Sequence, residues 1–265
     1  MSSHTLNVAV VYMDIAWADR KENLFEMRRR VRQLRHKADI VVLPELFSTG
    51  FVKDPSQMSQ LADTAGEHPS LDAMKEAAAE AGAAVCGSVL YAATDGAGNR
   101  VYTNRCYFVE PSGEVSYYDK RHLFSLTAEA KVLTPGTCRS PIVRFRGCNV
   151  AMAVCYDLRF PQWMRNNADN PYDLLLIPAN WPESREHAWT SLLCARAIEN
   201  QCYVAGADRS GSDDMGTYGA MSRIFSPQGL SIGTDNPHLG ALIAVLDLDA
   251  LHALRQSFPV LRDKD

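Results

Sequence analysis

Apolar residues recur along this chain in two rhythms. Short runs rich in β-branched residues, at 8–12 and at 39–45 (Asp39-Ile40-Val41-Val42-Leu43-Pro44-Glu45), predict buried strands. Between them Leu24, Met27, Val31 and Leu34 recur every three or four residues. That spacing predicts a helix running to about His36, opened by the capping-box pair Asp19 and Glu22. A second helix is expected over 70–81, stopped by Gly82. Strands over 84–91 and 101–110 are joined through Asp95-Gly96-Ala97-Gly98-Asn99. Pro111-Ser112-Gly113 then turns the chain into an alternating strand over 114–120, and Arg146-Gly147 links 142–145 to the apolar run 149–154. A continuous apolar strand at 174–177, a helix at 187–200, a hairpin at Pro227-Gln228-Gly229 and a helix at 249–258 complete the pattern. Helix-linked strands mixed with hairpins predict two sheets stacked face to face with helices outside. No repeat, linker or low-complexity stretch divides residues 1–265, so one domain is expected.

Composition narrows the function. An apolar fraction of 46% suits a globular enzyme with a large core. A net charge of −4 and a pI near 6.0 leave no basic footprint for nucleic acid. The cluster Arg28-Arg29-Arg30, with Arg32 and Arg35, lies opposite the apolar stripe of its helix and reads as the solvated face. No apolar run approaches the ~20 residues that span a bilayer, and Met1 to Thr5 lead straight into a strand with no signal peptide. The cysteines (Cys86, Cys106, Cys138, Cys148, Cys155, Cys194, Cys202) are odd in number and lack Cys-x-x-Cys spacing, which fits a reduced, cytoplasmic protein. No histidines are spaced as helical neighbours, and His122 and His187 have no Cys or His nearby, so no metal site is expected.

Three strand ends carry the candidate chemistry. Cys155 ends the run 149–154, and the polar stretch Tyr156-Asp157-Leu158-Arg159-Phe160-Pro161 leaves the sheet and starts a helix. A thiol at such a bend can face a cleft, with the next backbone N–H aimed at a developing negative charge. Most free cysteines are small core residues instead. The company of Cys155 matters, because Glu45 ends one strand and Lys120 ends another. Glu45 could cap its loop and Lys120 could be a surface amine. If the three ends meet, they supply a base, a fixed positive charge and a nucleophile.

Leu43-Pro44-Glu45, Tyr118-Asp119-Lys120-Arg121-His122-Leu123-Phe124 and Cys155-Tyr156-Asp157-Leu158-Arg159-Phe160-Pro161 resemble, in order, the three signature blocks of the nitrilase superfamily of carbon–nitrogen hydrolases. Pro178-Ala179-Asn180-Trp181-Pro182 and Ala195-Arg196-Ala197-Ile198-Glu199-Asn200-Gln201 match as well, and the likeness runs from about Leu6 to about Asp249. The second and third blocks are most similar to the omega-amidase branch. The resemblance implies an α/β fold, a four-layer α-β-β-α sandwich with two stacked mixed sheets and outer helices. It also implies hydrolysis of the side-chain amide of 2-oxo derivatives of glutamine and asparagine, with no cofactor. On that reading Glu45 is expected to serve as general base, Cys155 as nucleophile, and Lys120 with the Tyr156 N–H as oxyanion donors.

Burial lowers a lysine's pKa, so Lys120 needs a second carboxylate to stay charged. Glu129 matches the superfamily's additional active-site glutamate; a solvent-facing loop glutamate is the rival reading. Arg159, one helical turn past Cys155, is implied to bind a substrate carboxylate, against an internal pair with Asp157 or another acid. Asn180 and Trp181 are expected to line the cleft, and Phe51 and Phe124 to close it or to sit in the core. Arg196 and Glu199 suggest a structural or subunit-contact ion pair. The family commonly pairs subunits across helices, which makes 187–200 a candidate contact and a homodimer or higher homo-oligomer the expected state. A nitrilase or N-carbamoyl amide hydrolase on the same triad is the alternative chemistry, a turnover-deficient scaffold a weaker one. A cysteine protease is weakest, since no histidine sits in a comparable context.

Overall fold

A computed structural model, which describes residues 4–263, resolves these rhythms into two large sheets and a small hairpin. The first half of the chain runs β1 (Thr5–Val11), α1 (Arg20–Gln33), β2 (Ile40–Val42), α2 (Pro55–Leu61), α3 (Pro69–Ala81), β3 (Ala84–Thr94), β4 (Arg100–Val109) and β5 (Val115–Asp119). A single helical turn, α4 (Glu129–Val132), leads to β6 (Val143–Phe145), β7 (Cys148–Met152), β8 (Leu174–Ala179), α5 (Glu186–Glu199) and β9 (Tyr203–Asp208). Then come β10 (Ser210–Asp213), β11 (Gly216–Gly219), β12 (Arg223–Phe225), β13 (Ser231–Ile232), β14 (Thr234–Asn236), β15 (Ala241–Asp247) and α6 (Leu248–Ser257).

One sheet has the order β14-β15-β1-β2-β3-β4-β5 and the other β13-β12-β9-β8-β7-β6. Both are mixed: β1-β2-β3 and β7-β8-β9 are parallel, and the flanking strands pair antiparallel. The period-2 alternation of strands sets the layering. On β1, Leu6, Val8 and Val10 join Leu174, Leu176 and Ala205 of the second sheet in a shared core. Ala9 and Val11 turn the other way, against Met27 and Val31 of α1 and Met74 and Ala77 of α3. On the far side α5 lays Trp189 and Leu193 over Gly206, where a Cβ would come within 2.7 Å of the Trp189 ring. The result is the α-β-β-α sandwich.

Local chemistry fixes several boundaries. Asp19 caps α1 by accepting from the Glu22 N–H, while its own N–H turns back to Ala16, so only half of the expected capping box forms. Gly82 ends α3 in the left-handed region at φ +66°. The strand expected over 39–45 stops at Val42, because Pro44 has no N–H to continue the ladder. The Glu45 N–H instead crosses to Ala179 O of the other sheet at 3.4 Å. The helix expected after Cys155 is a correction: two 3₁₀ turns, Cys155–Arg159 and Pro161–Met164, take its place, with Pro161 opening the second. The apolar rhythm gave no sign of α2, β9, β15 or the β10–β11 hairpin. The final helix starts one residue earlier than expected, with Asp247 capping α6 by accepting from the Ala250 N–H. Among the described residues no helix is long and apolar enough to cross a membrane.

Candidate active site

The carboxylate, the ammonium and the thiol arrive from three strand ends and line one cavity of about 310 Å³. Lys120 follows β5 and is held by its backbone N–H to Asn104 O at 2.9 Å. Its side chain is only 2% exposed and reaches Glu45 Oε1 at 2.8 Å and Glu129 Oε1 at 2.6 Å. Glu45 also accepts from Asn104 Nδ2 at 2.8 Å and, through Oε2, from the Asn180 N–H at 3.0 Å. The second oxygen of Glu129 accepts from the Phe124 N–H at 2.8 Å, tying the loop after Lys120 to the charge cluster.

Cys155 stands at φ +44°, a left-handed conformation that a β-carbon disfavours. Asp157, fully buried, supports that turn. Its Oδ2 accepts from the Val154 N–H and from the Tyr118 hydroxyl. Its Oδ1 accepts from the His122 N–H and lies 2.8 Å from His122 Nδ1. One carboxylate therefore joins the Lys120 and Cys155 loops. The thiol faces Asn180 O at 3.9 Å, so the Asn180 backbone meets the nucleophile through its carbonyl and the base through its N–H.

The residues expected at the catalytic centre and in the cleft all line this cavity: Phe51, Phe124, Tyr156, Arg159, Asn180 and Trp181, with Glu45, Lys120, Glu129 and Cys155. Two of the rival readings fail. Glu129 is buried rather than solvent-facing. Asp157 is committed to His122, Tyr118 and Val154, and Arg159 lies over the Trp181 ring at 5.0 Å. His122 does have an acidic partner, yet it is not among the residues lining the cavity with Cys155. Arg196 is buried, pairs with Glu199 at 3.0 Å and donates to Leu158 O, a structural role. Residues the sequence reading passed over are Asn104, Arg185, Asp213, Met215 and Tyr218. Asn104 left a trace, a carboxamide sharing the inward face of β4 with Cys106 and Phe108.

The carbon–nitrogen hydrolase family model matches residues 7–256. The chain belongs to the carbon–nitrogen hydrolase family. It is 39% identical to omega-amidase YafV of Escherichia coli K12, with 98% of this chain and 97% of that protein covered. It is 32% identical to the 2-oxoglutaramate amidase of Bacillus subtilis, covering 97% and 96%. Among solved structures it is similar to XC1258 from Xanthomonas campestris, a CN-hydrolase superfamily protein with an arsenic adduct in its active site. That match has a TM-score of 0.87 and 32% identity, over 99% of this chain and 98% of the other.

The electrostatics of this carbon–nitrogen hydrolase follow from burial. Desolvation pushes the Cys155 thiol well above its usual range, and the Glu45 charge pushes the same way, against Lys120. Burial alone would lower the Lys120 pKa, but Glu129 and Glu45 outweigh it and hold the ammonium well above the ordinary value. Desolvation likewise raises Tyr118 and Tyr172. All four groups hold their protons more tightly folded than unfolded. Their contribution to stability is complete below the unfolded thiol pKa of 9.0 and is lost as pH rises beyond it. The thermal midpoint of this hydrolase is therefore expected to fall steadily once the pH passes about 9. A midpoint that stays level up to pH ~11 in a calorimetric series would contradict this account.

Proposed function

We propose that this chain is an amide hydrolase of the omega-amidase type. It releases ammonia from the monoamide of a 2-oxo dicarboxylic acid through a cysteine thioester. The observation that carries this reading is the Glu45–Lys120–Glu129 charge cluster beside the Cys155 thiol, with Arg159 at the same cavity.

Glu45 takes the Cys155 proton as Sγ attacks the amide carbon. The charge on the carbonyl oxygen falls to Lys120 Nζ and the Tyr156 N–H. The C–N bond breaks as Glu45 passes that proton to the leaving nitrogen, so ammonia departs and the acyl group stays on sulfur. Glu45 then deprotonates a water, which attacks the thioester. As the tetrahedral adduct collapses, the proton returns to Sγ and the acid leaves. At the far end Arg159 receives the substrate carboxylate. Its guanidinium presents donors in the planar fork that a carboxylate matches. The E. coli and B. subtilis relatives support the substrate class through the activities in their names.

The test is ammonia release from a panel of 2-oxo amides, simple amides, carbamoyl compounds and nitriles, with wild type and Cys155→Ala. Preferential turnover of a 2-oxo amide, lost in the variant, is the expected result. Turnover of nitriles or carbamoyl compounds in its place would overturn the reading. Arg159→Lys should raise KM for a carboxylated amide by ~10-fold, since a bidentate charged contact is worth about 1.5–3 kcal/mol. The KM for butyramide should move far less. An equal change for both substrates would remove Arg159 from carboxylate binding.

A further inference from the structure

Charge accounting inside the cavity leaves two guanidinium groups over. The carboxylates that line it are Glu45, Glu129 and Asp213. Glu45 and Glu129 are spent on Lys120. Asp213 is spent on the fully buried Arg209 at 2.6 Å and also accepts from the Tyr218 hydroxyl and the Met215 N–H. Arg159 and Arg185 line the same space, and among the described residues neither makes an ion pair.

Both are held by aromatic rings. Arg159 lies 5.0 Å from the centroid of Trp181, and Arg185 lies 5.4 Å from that of Phe124. Trp181 also organises the second arginine, because its indole N–H donates to Arg185 O at 2.9 Å. Trp181 is itself fixed by its backbone N–H to Asp208 at 2.7 Å. The buried indole thus carries one guanidinium on its face and holds the backbone of the other arginine, in a site where every lining carboxylate already has a cation.

We propose that Arg185 is a specificity-determining residue. With Arg159 it forms a donor-only clamp on the oxo-acid end of the substrate, donating to the 2-oxo oxygen and excluding amides that carry an α-ammonium. The proposal rests on the omega-amidase reading and deepens it. A 2-oxo acid offers a carboxylate and a ketone oxygen, acceptors throughout. The corresponding α-amino acid replaces the ketone with an ammonium, which brings donors and a positive charge. Guanidinium groups have no acceptor with which to meet them. One substituent therefore changes both the hydrogen-bond match and the sign of the electrostatic interaction. A single carboxylate ligand such as Arg159 would not separate the two compounds, since both carry the carboxylate.

The test compares 2-oxosuccinamate, succinamate and asparagine, which share the scissile amide and the distal carboxylate, in wild type, Arg185→Gln and Arg185→Lys. In Arg185→Gln, kcat/KM for 2-oxosuccinamate is expected to fall ~10-fold or more, mainly through KM, with a smaller loss for succinamate. The asparagine to 2-oxosuccinamate ratio should rise by a similar factor. Arg185→Lys, which keeps the charge and loses the planar fork, should still reject asparagine while losing part of the preference for the oxo compound. Ratios among the substrates that match wild type in an active Arg185→Gln enzyme would overturn the clamp and leave the functional reading intact. A wild-type enzyme that hydrolyses other amides but not 2-oxosuccinamate or a longer 2-oxo amide would overturn both.

Discussion

Alanine at Cys155 is expected to lower ammonia release by at least ~10⁴-fold, the scale on which removal of a catalytic nucleophile acts. The reason lies in the charge of the site. Glu45 and Glu129 against Lys120 give a buried cluster with one net negative charge. Loss of the thiol proton to solvent would make that two, and burial with the Glu45 charge opposes it. Passing the proton to Glu45 leaves the total unchanged, so the sulfur becomes nucleophilic only as the transfer occurs. Lys120 cannot take over the attack, since its ammonium is held charged by its carboxylates. Acid-quenched wild type mixed with substrate should show a mass increase equal to the acyl group. Cys155→Ala should show none. A variant that keeps more than about 1% of wild-type turnover would remove the thioester from the pathway.

The cluster was legible in the sequence because strand ends are easy to locate and hard to populate by chance. Glu45, Lys120 and Cys155 each follow a short apolar or alternating run, and the two sheets bring those ends together. Arg159 was less legible from spacing. Four residues make one turn only at 100° per residue, whereas a 3₁₀ turn advances 120° and eclipses i with i+3. Arg159 reaches the cavity because Trp181 offers it a ring, which no spacing within 155–159 encodes. Arg185 and the β10–β11 hairpin escaped for a related reason. Ser210–Asp213 and Gly216–Gly219 have no apolar alternation, and the hairpin is positioned by contacts distant in sequence, such as Arg209 to Asp14. Strand β9 was missed although it is buried throughout. Val204 is its one β-branched residue, and Gly206 stands where α5 needs close approach.

Glu129→Gln should separate two properties that usually move together, making the thiol more reactive and the enzyme slower. Glu129 is one of the charges that raise the Cys155 pKa, so neutralising it makes thiolate more accessible at a given pH. Iodoacetamide at pH ~8 is expected to alkylate Cys155 in the variant several-fold faster than in wild type. Turnover should nevertheless fall about 10- to 100-fold, less than the ~10²–10³ cost of losing an oxyanion donor outright. The carboxylate serves Lys120 with one oxygen and the Phe124 N–H with the other. An amide has one acceptor oxygen, so it can keep the ammonium in place or hold the loop, but not both. Glu129→Ala loses both contacts and leaves the buried ammonium with Glu45 alone, which should also cost about 3 kcal/mol of stability. Alkylation slowed in step with turnover would mean that Glu129 supports the loop and has no electrostatic role. Faster alkylation with slower hydrolysis is the signature of a carboxylate that keeps Lys120 charged and aimed while restraining the sulfur until Glu45 can take its proton.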